Sequence, residues 1–241
     1  MHLNSINTLV SNCNKGSIFE TSFGNKTQKK REPYTTAQKA VVATTTVLGV
    51  AASCALLAKK AGYSLSPKNM FKNIKNSYLA KVRYEWPEVC VIGAGSCLGG
   101  LAGGYLIDKD KENRKVKQRE AIMHFGNISI PIFTVGMVVD KVFKKSNKWV
   151  KAAAGIGGIV AGLYLANFTT NKICSAVYKD NSKERGIEVT DLPAHLDDAV
   201  VSAAYICPKS KFVHALGRII PLALMVAGNE VGTKTVEDLH K

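Results

Sequence analysis

Four runs without a charged residue, each as long as a bilayer-spanning helix, constrain this chain more than any other feature. Residues 40–58, 89–107 and 121–139 are 19 residues each, and 152–171 is 20. A hydrocarbon core about 30 Å thick needs about 20 helical residues. A single such run can be the buried helix of a water-soluble core. Four of matched length, bracketed by Lys39 and Lys59, Glu88 and Asp108, Glu120 and Asp140, and Lys151 and Lys172, point to membrane spans. The expected fold is all-α, a polytopic integral membrane helical bundle.

A fifth span is expected over 212–230. Its charge-free part, 219–229, is only 11 residues long, so the span must take in Arg218. An arginine at a helix centre costs about 2.5–3.5 kcal/mol on insertion scales, and less near an end, where it can snorkel to the headgroups. The count is five spans, or four if this segment stays out of the bilayer. With five alternating spans and the N-terminus inside, 18 Lys and Arg lie inside against 14 outside, which leans toward that orientation. The membrane class expected is a bacterial inner membrane or an organellar inner membrane.

Outside the spans the chain is polar. Residues 1–36 read as a disordered tail rich in Ser, Asn and Lys, with no apolar run long enough for a signal sequence, and 37–241 as the membrane domain. After Ser66-Pro67, the positions Phe71, Ile74, Tyr78 and Val82 share one helical face and Lys68, Lys72 and Lys75 another. This basic amphipathic helix, about 68–83, suits the interface of a bilayer with anionic lipid headgroups. A second short amphipathic helix is expected over 193–207, capped by Thr190 or Asp191.

The net charge of +15 raises nucleic acid as a partner. The basic residues cluster beside the apolar blocks, however, and no RNP, zinc-finger or helix-turn-helix pattern accompanies them, so no nucleic-acid partner is expected. Six cysteines form no CxxC pair and no Cys/His ligand spacing, so neither a metal nor another cofactor is called for.

The stretch EVCVIGAGSCLGG, residues 88–100, imitates a dinucleotide-binding turn. The fingerprint needs a third glycine at position 98, which is Leu98, and a charged linker follows instead of a second strand. The glycines make better sense as a packing surface. Gly95, Gly99 and Gly103 are spaced by four, as are Ser96, Gly100 and Gly104, and the fourth block repeats the spacing with Ala154, Gly158, Gly162 and Ala166. Such glycine-zipper faces let helix backbones approach closely in lipid. The second and fourth spans are therefore expected to touch through Gly99, Gly103, Gly158 and Gly162, so that leucine at Gly99 and Gly158 would destabilise the bundle.

A two-helix repeat is also suggested. Tyr105 aligns with Tyr164, Gly99 with Gly158, Pro131 with Pro221, His124 with His214 and Asp140 with Glu230. It implies helix kinks at Pro131 and Pro221 and a second and fourth span running in parallel, as would the third and fifth. The polar groups His124, Asn127, His214 and Arg218 are candidates for a pathway or polar site, against the alternative that both histidines lie near the membrane surface, partly hydrated and inert. No Ser-His-Asp set or carboxylate pair appears, so catalysis is not expected.

The expected role is a structural, assembly or scaffold component packed through glycine zippers, with other membrane helices or a homo-oligomer as partners. The alternative is a small channel or transporter built on the repeat. In its spans and GxxxG spacing the chain resembles the small four-span subunits of the mitochondrial inner-membrane protein-import translocases. That likeness is one of architecture and carries no residue roles.

Overall fold

The computed structural model describes residues 33–63, 84–178 and 210–239, with single positions at 200, 203 and 207. The polar tail up to residue 32, the basic helix at 68–83 with Lys68, Lys72 and Lys75, and nearly all of the helix at 193–207 lie outside the described residues. Among the described residues every element is helical. Five candidate spans are long and apolar enough to cross a membrane: Thr36–Lys60, Trp86–Ile107, Lys111–Val142, Lys148–Tyr178 and Ala215–Thr233. This is the build of a multi-pass α-helical membrane protein.

Local chemistry sets the helix ends. Helix α1, Thr36–Lys60, opens on a capping box: the Gln38 amide donates to the Thr35 hydroxyl, and the Thr35 amide donates to the Gln38 side chain. It closes where Gly62 takes a φ of 78°, which lets the Tyr63 and Gly62 amides reach back to the Ala58 and Lys59 carbonyls. Helix α2, Trp86–Ile107, has Pro87 in its first turn, where a missing N–H is harmless. Helix α3, Lys111–Gly136, is capped by Asp110, whose carboxylate accepts from the Glu112 and Asn113 amides, and it runs on into a π-helical turn, Met137–Val142. Helix α4 is Lys148–Tyr178. The last span is broken, with α5, Lys211–Gly217, meeting α6, Ile220–Thr233, through a turn at Arg218 and Ile219.

Several expectations are corrected here. The stretch 108–120, read as a charged linker, is mostly the first turns of α3, so the third span begins ten residues before its apolar run. The fifth segment is not one helix from 212 to 230. Arg218 lies exposed in the turn, and Pro221 sits in the first turn of α6, so it opens a helix instead of kinking one. Pro131 does lie inside α3, where its ring removes the donor for the Asn127 carbonyl.

Helix pairing differs from the expectation as well. Helix α2 packs on α1, α3 and α6, whereas α4 packs on α3, and α2 and α4 form no interface. A Cβ added at Gly99 or Gly103 would collide with Thr45 of α1. One at Gly100 would fall on the Gly228 carbonyl of α6. A Cβ at Gly158 or Gly162 would meet Val135 and Pro131 of α3 instead. Helices α1 and α6 thus approach α2 on different faces. Gly49 of α1 and Gly228 and Gly232 of α6, which the sequence reading passed over, take part in the same close contacts.

Residue pairs fix the helix directions. Gly100 meets Gly228 and Gly104 meets Gly232, so α2 and α6 run in parallel. Gly158 meets Val135 and Gly162 meets Pro131, so α3 and α4 are antiparallel. His124 of α3 lies beside Glu230 of α6, while Lys117 reaches the Lys234 carbonyl. The third and fifth spans therefore run in opposite directions, and the two-helix repeat is not a structural unit.

The interior is apolar along most of its length. Val50, Leu57, Val89, Ile92, Ile128, Ile132, Ile220, Leu224 and Val231 form one buried cluster. At the end where α2 begins, the Trp86 indole donates to the Ser129 carbonyl and stacks at a tilt on Phe133.

Two glycine-to-alanine substitutions separate close packing from helix propensity. Gly100→Ala forces a methyl into the Gly228 backbone and lowers unfolding stability in detergent by about 1–3 kcal/mol. Gly157→Ala meets nothing within 4 Å and leaves stability unchanged or raises it by up to about 1 kcal/mol. Equal effects of the two would contradict the packing described.

Candidate polar site

The end of the bundle where α2 stops and α3 starts holds a network of buried polar side chains from all parts of the chain. Asp108, the C-cap of α2, is its first centre. One carboxylate oxygen accepts from the Tyr34 hydroxyl at 2.6 Å and from the Asn113 amide at 2.6 Å, and the other accepts from the Asp110 N–H at 2.9 Å. Burial pushes the Asp108 carboxyl up, but these three donors and the nearby Lys117 ammonium outweigh it and hold the group below the usual carboxylate range.

Lys117 is the second centre, and no part of its side chain is solvent-exposed. Its ammonium donates to the Lys234 carbonyl at 2.6 Å and to the Tyr34 hydroxyl at 2.9 Å, stands 3.9 Å from Asp108, and lies over the Tyr34 ring. Its aliphatic stem runs past Gly104, where an added Cβ would come within 2.8 Å of the Lys117 Cδ. A buried ammonium needs partners in every direction it presents, and here the C-cap of α2, the N-terminal segment and the chain after α6 each contribute one. Asn113 completes the tie by accepting from the Val236 N–H at 3.1 Å.

A second layer lies one turn further in. His124 Nε2 is 3.2 Å from Glu120 and 3.3 Å from Glu230, and the Lys234 ammonium is 3.9 Å from the same Glu120 oxygen. His124 is 1% exposed and the Glu120 side chain 3%, whereas that of Glu230 is 35% exposed. His124 is thus not a hydrated surface histidine. One ring nitrogen faces two carboxylates and with a single N–H can serve only one at a time. Deeper along α3, Asn127 is buried on the same face and Ser129 on another, and then Ile132, Val135 and Val139 follow. The buried Asp, Glu, Lys and His side chains among the described residues are gathered at one end, while the middle of the bundle keeps buried hydroxyls such as Thr46 and Ser96.

A third set fastens α4. Arg114 donates to the Asp108 and Tyr105 carbonyls and lies over the Tyr105 ring, Gln118 donates to the Tyr105 hydroxyl, and the Tyr178 hydroxyl donates to Gln118.

Of the expected polar residues, the structure places His124 and Asn127 together on α3 and His214 and Arg218 on the short α5 and the turn that ends it. Arg218 is at the other end of the bundle, and His214 lies in α5. The members missed by sequence reasoning are Tyr34, Asp108, Asn113, Lys117, Glu120 and Lys234, while Glu230 stands among the ionisable groups of the fifth segment. A signal existed: Asn113, Lys117, Glu120, His124 and Asn127 fall at helical spacing of three and four across the boundary between charged and apolar sequence. No group of three His, Cys, Asp or Glu residues among the described residues is arranged to hold a metal ion. No family model, curated protein or solved structure matches the chain.

Two variants test the network. Lys117→Met strips the ammonium from three buried partners and lowers unfolding stability in detergent by about 3–5 kcal/mol; a loss under about 1 kcal/mol would contradict its role. Asp108 has a lowered folded pKa, so its stabilisation is present above the unfolded value of about 3.9 and is lost as pH falls through the folded one. The melting temperature of the wild type therefore drops more steeply between about pH 4 and pH 2 than that of Asp108→Asn. Parallel pH profiles would count against the assignment.

Proposed function

We propose that this is a non-catalytic multi-pass membrane protein that serves as a structural, assembly or scaffold component, built on glycine-zipper helix packing, in a bacterial or organellar inner membrane. The observation that carries the reading is the backbone-to-backbone approach at Gly100 and Gly228 and at Gly49 and Gly95, where the helices leave no room for even a methyl group. Close contacts of this kind favour a fixed bundle over one that opens and closes.

The partner class that fits is another membrane helix, from a second copy or a different chain, in a bilayer containing anionic lipid. Helix α4 is covered by α3 on one side only. Ala153, Gly157 and Ala161 lie exposed on it at four-residue spacing, flanked by the exposed Ile156, Val160 and Tyr164. An open small-residue face on a span suits association within lipid.

A transport role is the second reading, favoured by the buried Glu120 and His124 beside the half-buried Glu230, since ionisable groups at membrane depth are functional candidates. Against it stands the apolar face of α3 beyond Ser129.

The reading predicts that in proteoliposomes the protein will pass no more H⁺, K⁺ or Na⁺ than protein-free vesicles, and that in mild detergent its protein mass, corrected for bound detergent, will exceed the 26.0 kDa of one chain. Gly157→Leu keeps the folded bundle and reduces that larger species. A saturable flux abolished by His124→Ala would replace this reading with the transport one.

A further inference from the structure

We infer that both ends of the chain face the same side of the membrane, so that it crosses an even number of times although five spans stand out by length and composition. The inference rests on the membrane-spanning reading and goes beyond it, because five alternating crossings would put the ends on opposite sides.

The argument starts at the polar network. Tyr34, just before α1, bonds both Asp108 and Lys117. Lys117 also bonds the carbonyl of Lys234, just after α6, and Asn113 bonds the Val236 amide. The start of α1, the end of α2, the start of α3 and the end of α6 therefore meet at one end of the bundle. Helix α4 finishes at that end too, with the Tyr178 hydroxyl on Gln118. Helices α4 and α6 are consecutive candidate spans and both run toward this end. A chain cannot enter two successive spans from the same side without going back between them.

The way back lies between Tyr178 and Gly217, which sits at the far end against the Tyr84 ring. A span of about 30 Å takes about 20 helical residues, and the sequence from 179 to 210 is long enough for it. Its longest charge-free run, 199–208, is ten residues, too short to register as a lipid-exposed span. Val200, a described position inside that run, packs against the apolar core of the bundle. The directions of α4 and α6 require the chain to return to the far end between Tyr178 and Gly217.

The test uses the full chain in sealed membrane vesicles. Carbonate extraction first establishes membrane integration; a chain released by carbonate would overturn the membrane reading itself. Single cysteines at P33C, K109C, E237C and K144C, with the native cysteines replaced by alanine, are then labelled with a membrane-impermeant maleimide. Labelling of P33C, K109C and E237C from one side and of K144C from the other is expected. If the chain stays in the membrane and P33C and E237C label from opposite sides, the inference fails alone. Should the cysteine-replaced chain not fold, epitope tags on both ends of the wild type, with protease added outside the vesicles, read the same outcome: both tags cut or both protected, against one of each.

Discussion

Helix α2 is the constraint on which the rest of the bundle depends. Its glycines leave two of its faces without side-chain volume: Gly95, Gly99 and Gly103 toward α1, and Gly93, Gly100 and Gly104 toward α3 and α6. In lipid, helices gain little from hiding apolar surface from one another, so association rests on dispersion contacts and interhelical hydrogen bonds, both of which improve as backbones approach. Ser96 adds one such bond, donating to the Leu224 carbonyl of α6 at 2.5 Å. The same approach places Lys117. Its stem crosses α2 at Gly104, and only without a Cβ there can the ammonium reach Tyr34 and Lys234.

The buried charges define the register at one end. Desolvating the Lys117 ammonium and the Asp108 and Glu120 carboxylates is unfavourable unless each finds partners, and a buried pair often contributes less to stability than an apolar substitute would. What the set supplies is selectivity. Lys117 is satisfied only when the N-terminal segment, the C-cap of α2 and the chain after α6 all arrive at the same place. An α6 running the other way would bring neither Glu230 to His124 nor the Lys234 carbonyl to Lys117. The polar network therefore determines direction, and the glycine contacts determine distance.

Much of this was legible in the sequence, though unevenly. Charge-free runs located the first four spans because lipid tolerates few charges, and the helices extend past those runs only where polar residues are buried or at the surface. The charge criterion failed at α3, where Lys117 and Glu120 belong to a helix and are sheltered by protein. Small residues every four positions marked surfaces of close approach but not their partners, since Gly158 and Gly99 look alike whichever helix meets them. Partner choice depended on features that spacing does not report, such as Gly49 facing Gly95, and on the direction of the last span. Alternation, a safe rule for consecutive apolar runs, misdirected the last span, because α4 and α6 both finish at the end where α3 starts.

The central claim is that the segments just before α1 and just after α6 converge on the α2–α3 turn while the α3–α4 turn lies at the far end. Electron–electron distance measurements on spin labels at the exposed positions Lys109, Glu237 and Lys144 test it directly in detergent or in bilayers. The account predicts that Glu237 lies close to Lys109 and farther from Lys144 by roughly the thickness of a hydrocarbon core, about 30 Å. A Glu237 label nearer to Lys144 than to Lys109 would contradict it.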